Sequence, residues 1–213
     1  MNIINFIIPG ISLSGILMAI PGAIIAVTLH EYAKSLVAYK MGDTNVKAQR
    51  RLAPNPLKHM DILGSIFLVI FGYGWSSPVR LTPFSFKDRR KAMLLIFIIP
   101  FLVNIIVGVA FAIASNVAAE IWSANMDLTM YYVWQTLFII AVYNITFALF
   151  SLIPVHPLNG INFLAAVKPI WAIKISQHEK YLQVALAFFI ALGFARAVFA
   201  PLVFGMMFWT LTL

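Results

Sequence analysis

Residues 30 to 34 read H-E-Y-A-K, two titratable side chains with a third one helical turn later. On a helix, positions four apart share a face, so H-E-x-x-H presents two imidazoles to one zinc ion, with the glutamate beside the metal as general base. Here His30 and Glu31 hold the first two places, and Lys34 stands where the second imidazole would be. An ammonium has no lone pair to give, and lysine could ligate only when deprotonated, against an ordinary pKa of about 10.4. A second polar motif, P-V-H-P-L-N-G from Pro154 to Gly160, supplies His156 and Asn159. A carboxamide oxygen is a much weaker zinc ligand than a carboxylate. Three histidines, here His30, His156 and His59, would satisfy zinc chemically. The setting of His156 between Val155 and Pro157 in an extended loop argues against that set. His178 falls in a basic loop and is expected to be solvated. Taken alone, an H-E pair is more often a helix end meeting an interface.

The elements that must position these groups are apolar. The 213 residues are 62% hydrophobic and 10% charged, and the mean hydropathy is +0.93. Such a composition predicts an all-α polytopic membrane protein forming one integral membrane domain over residues 1–213. About five to six membrane segments are expected, one of them short or re-entrant. A first long helix should run from about Ser12 to Tyr39, carrying His30, Glu31 and Lys34 near its end, and the apolar N-terminus reads as an anchor rather than a removed signal peptide. Residues 43 to 61 carry two prolines and no helical period, which predicts loop or short strand. The apolar run Ile62 to Trp75 would reach only about 21 Å as helix, against a hydrocarbon core of about 30 Å. Spanning helices are expected over Ala92 to about Ser115 and Tyr131 to about Leu152, then a short helix, a basic loop with Lys168, Lys174 and Lys180, and a final apolar region from Leu182 to Leu213. Gly108, Ala112 and Ala114 should allow close helix contact. Pro201 is expected to break the last region and bring Arg196 to an interface.

Zero cysteines exclude disulfides and thiolate metal sites. The net charge of +8 reads as topology rather than nucleic-acid binding, because the basic residues lie between apolar segments. Ten of the 15 Lys and Arg fall between Lys40 and Lys91, which places that region in the cytoplasm. The run 62 to 75 is then flanked by cytoplasmic charge on both sides and should dip into the membrane, implying a polar cavity nearby. His30 and Asn159, distant in sequence, come to the same side at similar depth.

H-E-Y-A-K-S-L-V-A-Y-K-M-G-D, R-L-A-P-N-P-L-K-H-M-D-I-L-G-S-I, F-G-Y-G-W-S-S-P-V and F-S-L-I-P-V-H-P-L-N-G follow in that order. Together they resemble the compact form of the site-2 protease family of intramembrane zinc metalloproteases, over about Leu29 to Leu164. The resemblance implies that His30 matches a zinc ligand and Glu31 the general base, while Lys34 and Asn159 replace the other two ligands. It also places Asn104 and Asn144 where the family has membrane-helix asparagines near the active site, and His59 at a loop position not counted as a ligand. With two of three ligands replaced, zinc is expected to be absent or weakly bound. The Lys34 ammonium is expected to pair with Glu31 and hydrogen-bond Asn159, or alternatively to snorkel to the interface. The expected function is that of a pseudoenzyme in a prokaryotic plasma membrane, embedded in lipid and holding a transmembrane segment of another membrane protein. The alternatives are an active intramembrane metalloprotease with an irregular site, and a small membrane transport component using the loop from Asp43 to Asp61 and Arg196.

Overall fold

A computed structural model of the protein describes residues 13–210. Positions 1 to 12 and 211 to 213 lie outside the described residues. So do the first residue of the expected N-terminal helix, the leading part of the expected anchor and the last part of the expected C-terminal apolar region.

The regular elements of the described residues are helices: α1 (Leu13–Lys40), α2 (Asn45–Ala48), α3 (Pro56–His59), α4 (Ile62–Phe71), α5 (Arg89–Asn125), α6 (Leu128–Phe150), α7 (Gly160–Val167), α8 (Pro169–Ser176), α9 (Glu179–Ala191) and α10 (Phe194–Thr210), with a 3-10 turn at Pro83–Ser85. By length and composition α1, α5 and α6 can each cross a membrane, and α9 with α10 forms a fourth span if the bent pair is counted as one. Among the described residues these three or four candidate spans are fewer than the five to six membrane segments expected, a number that counted the short α4 as one of them. The strands expected within 43 to 61 are replaced by the single turns α2 and α3. Strand-like pairing in this region is limited to an isolated bridge between Met60 and Ser76.

Helices α1, α5 and α6 form the core. Small residues of α1, Ala19, Ala23 and Ala26, let it approach Ile139, Tyr143 and Phe147 of α6. Ala112 of α5 is buried against Ala141, Val142 and Ile145, whereas Ala114 is exposed and takes no part in that contact. At 37 residues, α5 is about 55 Å long and exceeds the hydrocarbon thickness. It ends at Met126 in the left-handed region, and Asp127 caps α6 by accepting from the Thr129 N–H at 2.9 Å. Trp122 stacks on Trp134 at 5.5 Å beside Tyr131, an aromatic cluster of the kind that marks a membrane interface.

The segment around α4 leaves and returns at one place. Asp61 caps α4 by accepting from Gly64 N–H at 2.8 Å, and the same oxygen accepts from Trp75 Nε1 at 3.0 Å. Tyr143 donates to the Val69 carbonyl at 3.1 Å and holds the helix against α6. In the C-terminal region, Lys174 and Lys180 lie on α8 and α9 instead of in a loop. The bend of 66° falls at Gly193, whose φ of +81° suits glycine, while Pro201 is accommodated inside α10. Arg196 therefore follows the break and is half-buried.

Candidate functional site: a buried lysine on the H-E helix

His30, Glu31, Lys34 and Ser35 occupy one stretch of α1 and all four are buried. Lys34 is 3% exposed, so it does not snorkel. Its Nζ lies 3.0 Å from Glu31 Oε1, one turn back along the helix. The same oxygen accepts from Ser76 Oγ at 2.8 Å. Ser76 is aimed by the extended run after α4, where it pairs with Met60 and where Ser77 N–H donates to the His59 carbonyl at 2.9 Å. The hydroxyl of Ser76 belongs to the G-Y-G-W-S-S-P-V stretch, but a serine among glycines and prolines gives no spacing signal of its own.

The remaining atoms of the H-E pair are unsatisfied. Neither ring nitrogen of His30 has a hydrogen-bond partner, and neither does Glu31 Oε2. The His30 ring is held instead by an edge-to-face contact with Phe147 at 5.2 Å. Asn104 of α5 donates to the Ala26 carbonyl at 3.0 Å, the oxygen one turn before His30, and so fixes the turn that carries the imidazole. Asn144 does not reach across; its amide donates to Ile140 within its own helix at 2.8 Å.

Asn159 is satisfied at both ends. Its Nδ2 donates to the Phe97 and Ile96 carbonyls of α5 at 2.9 and 3.3 Å, and its Oδ1 accepts from Asn162 Nδ2 at 2.7 Å. No side chain fits at Gly160, because the Leu152 and Ile153 carbonyls stand where a Cβ would go. That close return, with Gly160 N–H donating to the Ser151 carbonyl at 2.7 Å, seats the L-N-G turn on the C-terminal end of α6. The expected hydrogen bond from Lys34 to Asn159 is therefore replaced by two separate arrangements, Lys34 with Glu31 and Asn159 with backbone and Asn162.

His156 turns toward α9, with Nδ1 3.0 Å from Glu179 Oε1. Burial holds its imidazole below the usual histidine range, against the pull of Glu179, and the charges of Lys34 and Glu31 also act on it. His59 is buried with Nε2 2.9 Å from the Ala53 carbonyl. A carbonyl only accepts, so the proton sits on Nε2 and Nδ1 is left without a partner.

A catalytic zinc needs three protein ligands with free lone pairs. Among the described residues no three His, Cys, Asp or Glu side chains come together to hold a metal. His30 has lone pairs free, but Glu31 shares an oxygen with an ammonium and Asn159 is committed on both ends. This donor set does not fit a three-ligand zinc.

The fold and site define a helical membrane protein carrying an H-E motif on a buried helix face. It is 32% identical over 166 residues, 74% of this chain and 73% of the relative, to a protein of Bacillus subtilis (strain 168) named "Putative zinc metalloprotease YwhC". The chain belongs to that metalloprotease family. No family model matches it, and neither does any solved structure.

Proposed function

We propose that the protein is a metal-free member of the site-2 protease family, a pseudoenzyme that holds a transmembrane segment of another membrane protein without cleaving it. One observation carries this: the position of the second metal-binding imidazole holds a buried ammonium 3.0 Å from the carboxylate that would activate water. A zinc ion of charge +2 in an active relative is balanced by a glutamate and an aspartate; here Lys34 is balanced by Glu31, and Asn159 is neutral. Local charge is conserved without the metal, as membrane depth requires. An apolar groove of about 600 Å³ between α1 and α5, lined by Leu29, Ala33, Leu36, Leu95, Ile99 and Val103, supports a helical apolar occupant on the flank of this site. The test is metal analysis of the purified protein beside the double variant K34H/N159D. The expected result is less than stoichiometric zinc in the native chain and a gain in the variant.

A second reading rests on a different observation. Both His30 nitrogens and Glu31 Oε2 are buried without partners, as the protein side of a coordination sphere would be. Stoichiometric zinc in the native protein, lost in H30A, would establish that reading and overturn the first.

A further inference from the structure

A cleft of about 1180 Å³ opens between residues 77 to 84, the first turns of α5 and helices α7 to α9. Three arginines line it, Arg51, Arg80 and Arg89. Arg51 is fixed by two bonds to Ser77, to its carbonyl at 3.1 Å and its hydroxyl at 2.9 Å. Gln49 holds the Arg80 backbone from both sides, donating to its carbonyl at 2.7 Å and accepting its N–H at 3.2 Å. The Arg80 and Arg89 side chains themselves are exposed and form no ion pair among the described residues. Two carboxylates also line the cleft: Asp61, which accepts from Gly64 and Trp75, and the exposed Glu179, whose Oε1 lies 3.0 Å from His156 Nδ1.

The rest of the lining mixes amides and hydroxyls, such as Gln49, Ser77 and Gln183, with an apolar part that includes Val79, Leu81, Phe84 and Ile173. Phe84 is 97% exposed, and Ile173 of α8 is exposed beside Ile170 and Trp171 on the same short helix. Lys174 Nζ sits 5.5 Å over the Trp171 ring. Exposed aromatic and aliphatic side chains interleaved with cations are costly in water and favoured at a membrane surface. Arg89 begins a helix long and apolar enough to span, and its apolar run starts at Ala92, so the cleft stands at the polar end of that helix. Free phosphate would engage the guanidinium groups and leave Phe84 and Ile173 wet. An acidic peptide would do the same. A ligand that joins a phosphate to hydrocarbon satisfies both halves of the lining.

We propose that this cleft is a binding site for an anionic phospholipid, with the phosphate held by Arg80 and Arg89 in front of the anchored Arg51 and hydrocarbon lying against Phe84 and Ile173. The inference does not depend on whether the Lys34 site holds a metal.

The test uses the full chain purified in a zwitterionic detergent. Thermal unfolding is followed while phosphatidylglycerol, chain-matched phosphatidylcholine, inorganic phosphate or a polyglutamate peptide is added. Phosphatidylglycerol is expected to raise the Tm saturably, and the other three are not. In R80Q/R89Q the concentration giving half the shift should rise roughly fivefold for each guanidinium removed. K47Q/K87Q, which removes the same charge outside the cleft, should respond like the native protein. Both variants change exposed side chains, so their Tm in phosphatidylcholine is expected to match the native value and folding is controlled. An unchanged phosphatidylglycerol response in R80Q/R89Q would overturn the proposal. So would an equal shift with phosphate alone, with phosphatidylcholine or with polyglutamate, the last marking a protein-binding cleft.

Discussion

The two ends of the buried polar site differ in how completely their hydrogen-bonding groups are used. At the α1 end, Lys34, Glu31 and Ser76 satisfy one another through one carboxylate oxygen, but both His30 nitrogens and the second Glu31 oxygen are left over. At the loop end, Asn159 spends its whole carboxamide on two carbonyls and Asn162. The α1 end keeps unspent polar atoms, whereas the loop end is a structural tie between the L-N-G turn and α5. Buried polar groups are costly when unpaired, so substitutions at the two ends should have separable effects.

The largest effect is expected for K34M, which strands the Glu31 carboxylate away from water. Losing one partner of a buried pair costs about 3–5 kcal/mol, measurable by denaturant unfolding in detergent. Adding E31Q should recover much of that loss, and a K34M protein of native stability would show that the ion pair does not hold the site closed. Next comes N159D alone. A carboxylate cannot donate to the Ile96 and Phe97 carbonyls; Phe97 keeps its place in the helix ladder, but Ile96, four residues before Pro100, is left unpaired, which should cost about 1–3 kcal/mol. In K34H/N159D the deficit should shrink when zinc is added, because a ligand bound to the folded state alone stabilises it by mass action. A zinc-independent deficit would mean that the tie cannot be turned back into a ligand.

A smaller loss, about 1 kcal/mol, is expected for N104A, which removes a cross-helix hydrogen bond to the turn before His30. The smallest effect concerns pH. Burial holds the His59 imidazole below the usual histidine range, with the bond to Ala53 pulling the other way. Between that lowered value and the ordinary value of about 6.5, the unfolded chain binds more protons than the folded one. Stability therefore rises with pH across this window, is full above it and is lost as pH falls through it. H59Q keeps an amide donor for Ala53 and should flatten the acid side of a stability profile.

Much of this arrangement was legible in the residues. The apolar run ending in H-E-Y-A-K predicted α1 to within a residue at its C-terminal end, because hydrophobic length is a property of the chain alone. The Glu31 and Lys34 pairing followed from their spacing of three on a helix. Other features were not legible for stated reasons. The extent of α5 beyond Ser115 was missed because Asn116 to Asn125 mixes polar and apolar residues without a stop signal. The break at Gly193 was assigned to Pro201 because proline is the stronger local breaker, yet inside α10 it is accommodated. Ser76 could not be found at all, since its role comes from a partner 45 positions away.

What the sequence determined by itself is the class of the protein and the chemistry it lacks. Hydropathy selects a helical membrane domain, and residue chemistry alone says that a lysine ammonium offers no lone pair and an asparagine oxygen only a weak metal ligand, whatever the fold does. Only the tertiary structure decided where those two side chains turn. Three packed helices bury the Lys34 ammonium too deeply to reach water, so it pairs with Glu31, while the carbonyls of α5 stand close enough to take both protons of the Asn159 amide. Hydrogen bonds form by position in space, and that position is set by packing rather than by spacing along the chain.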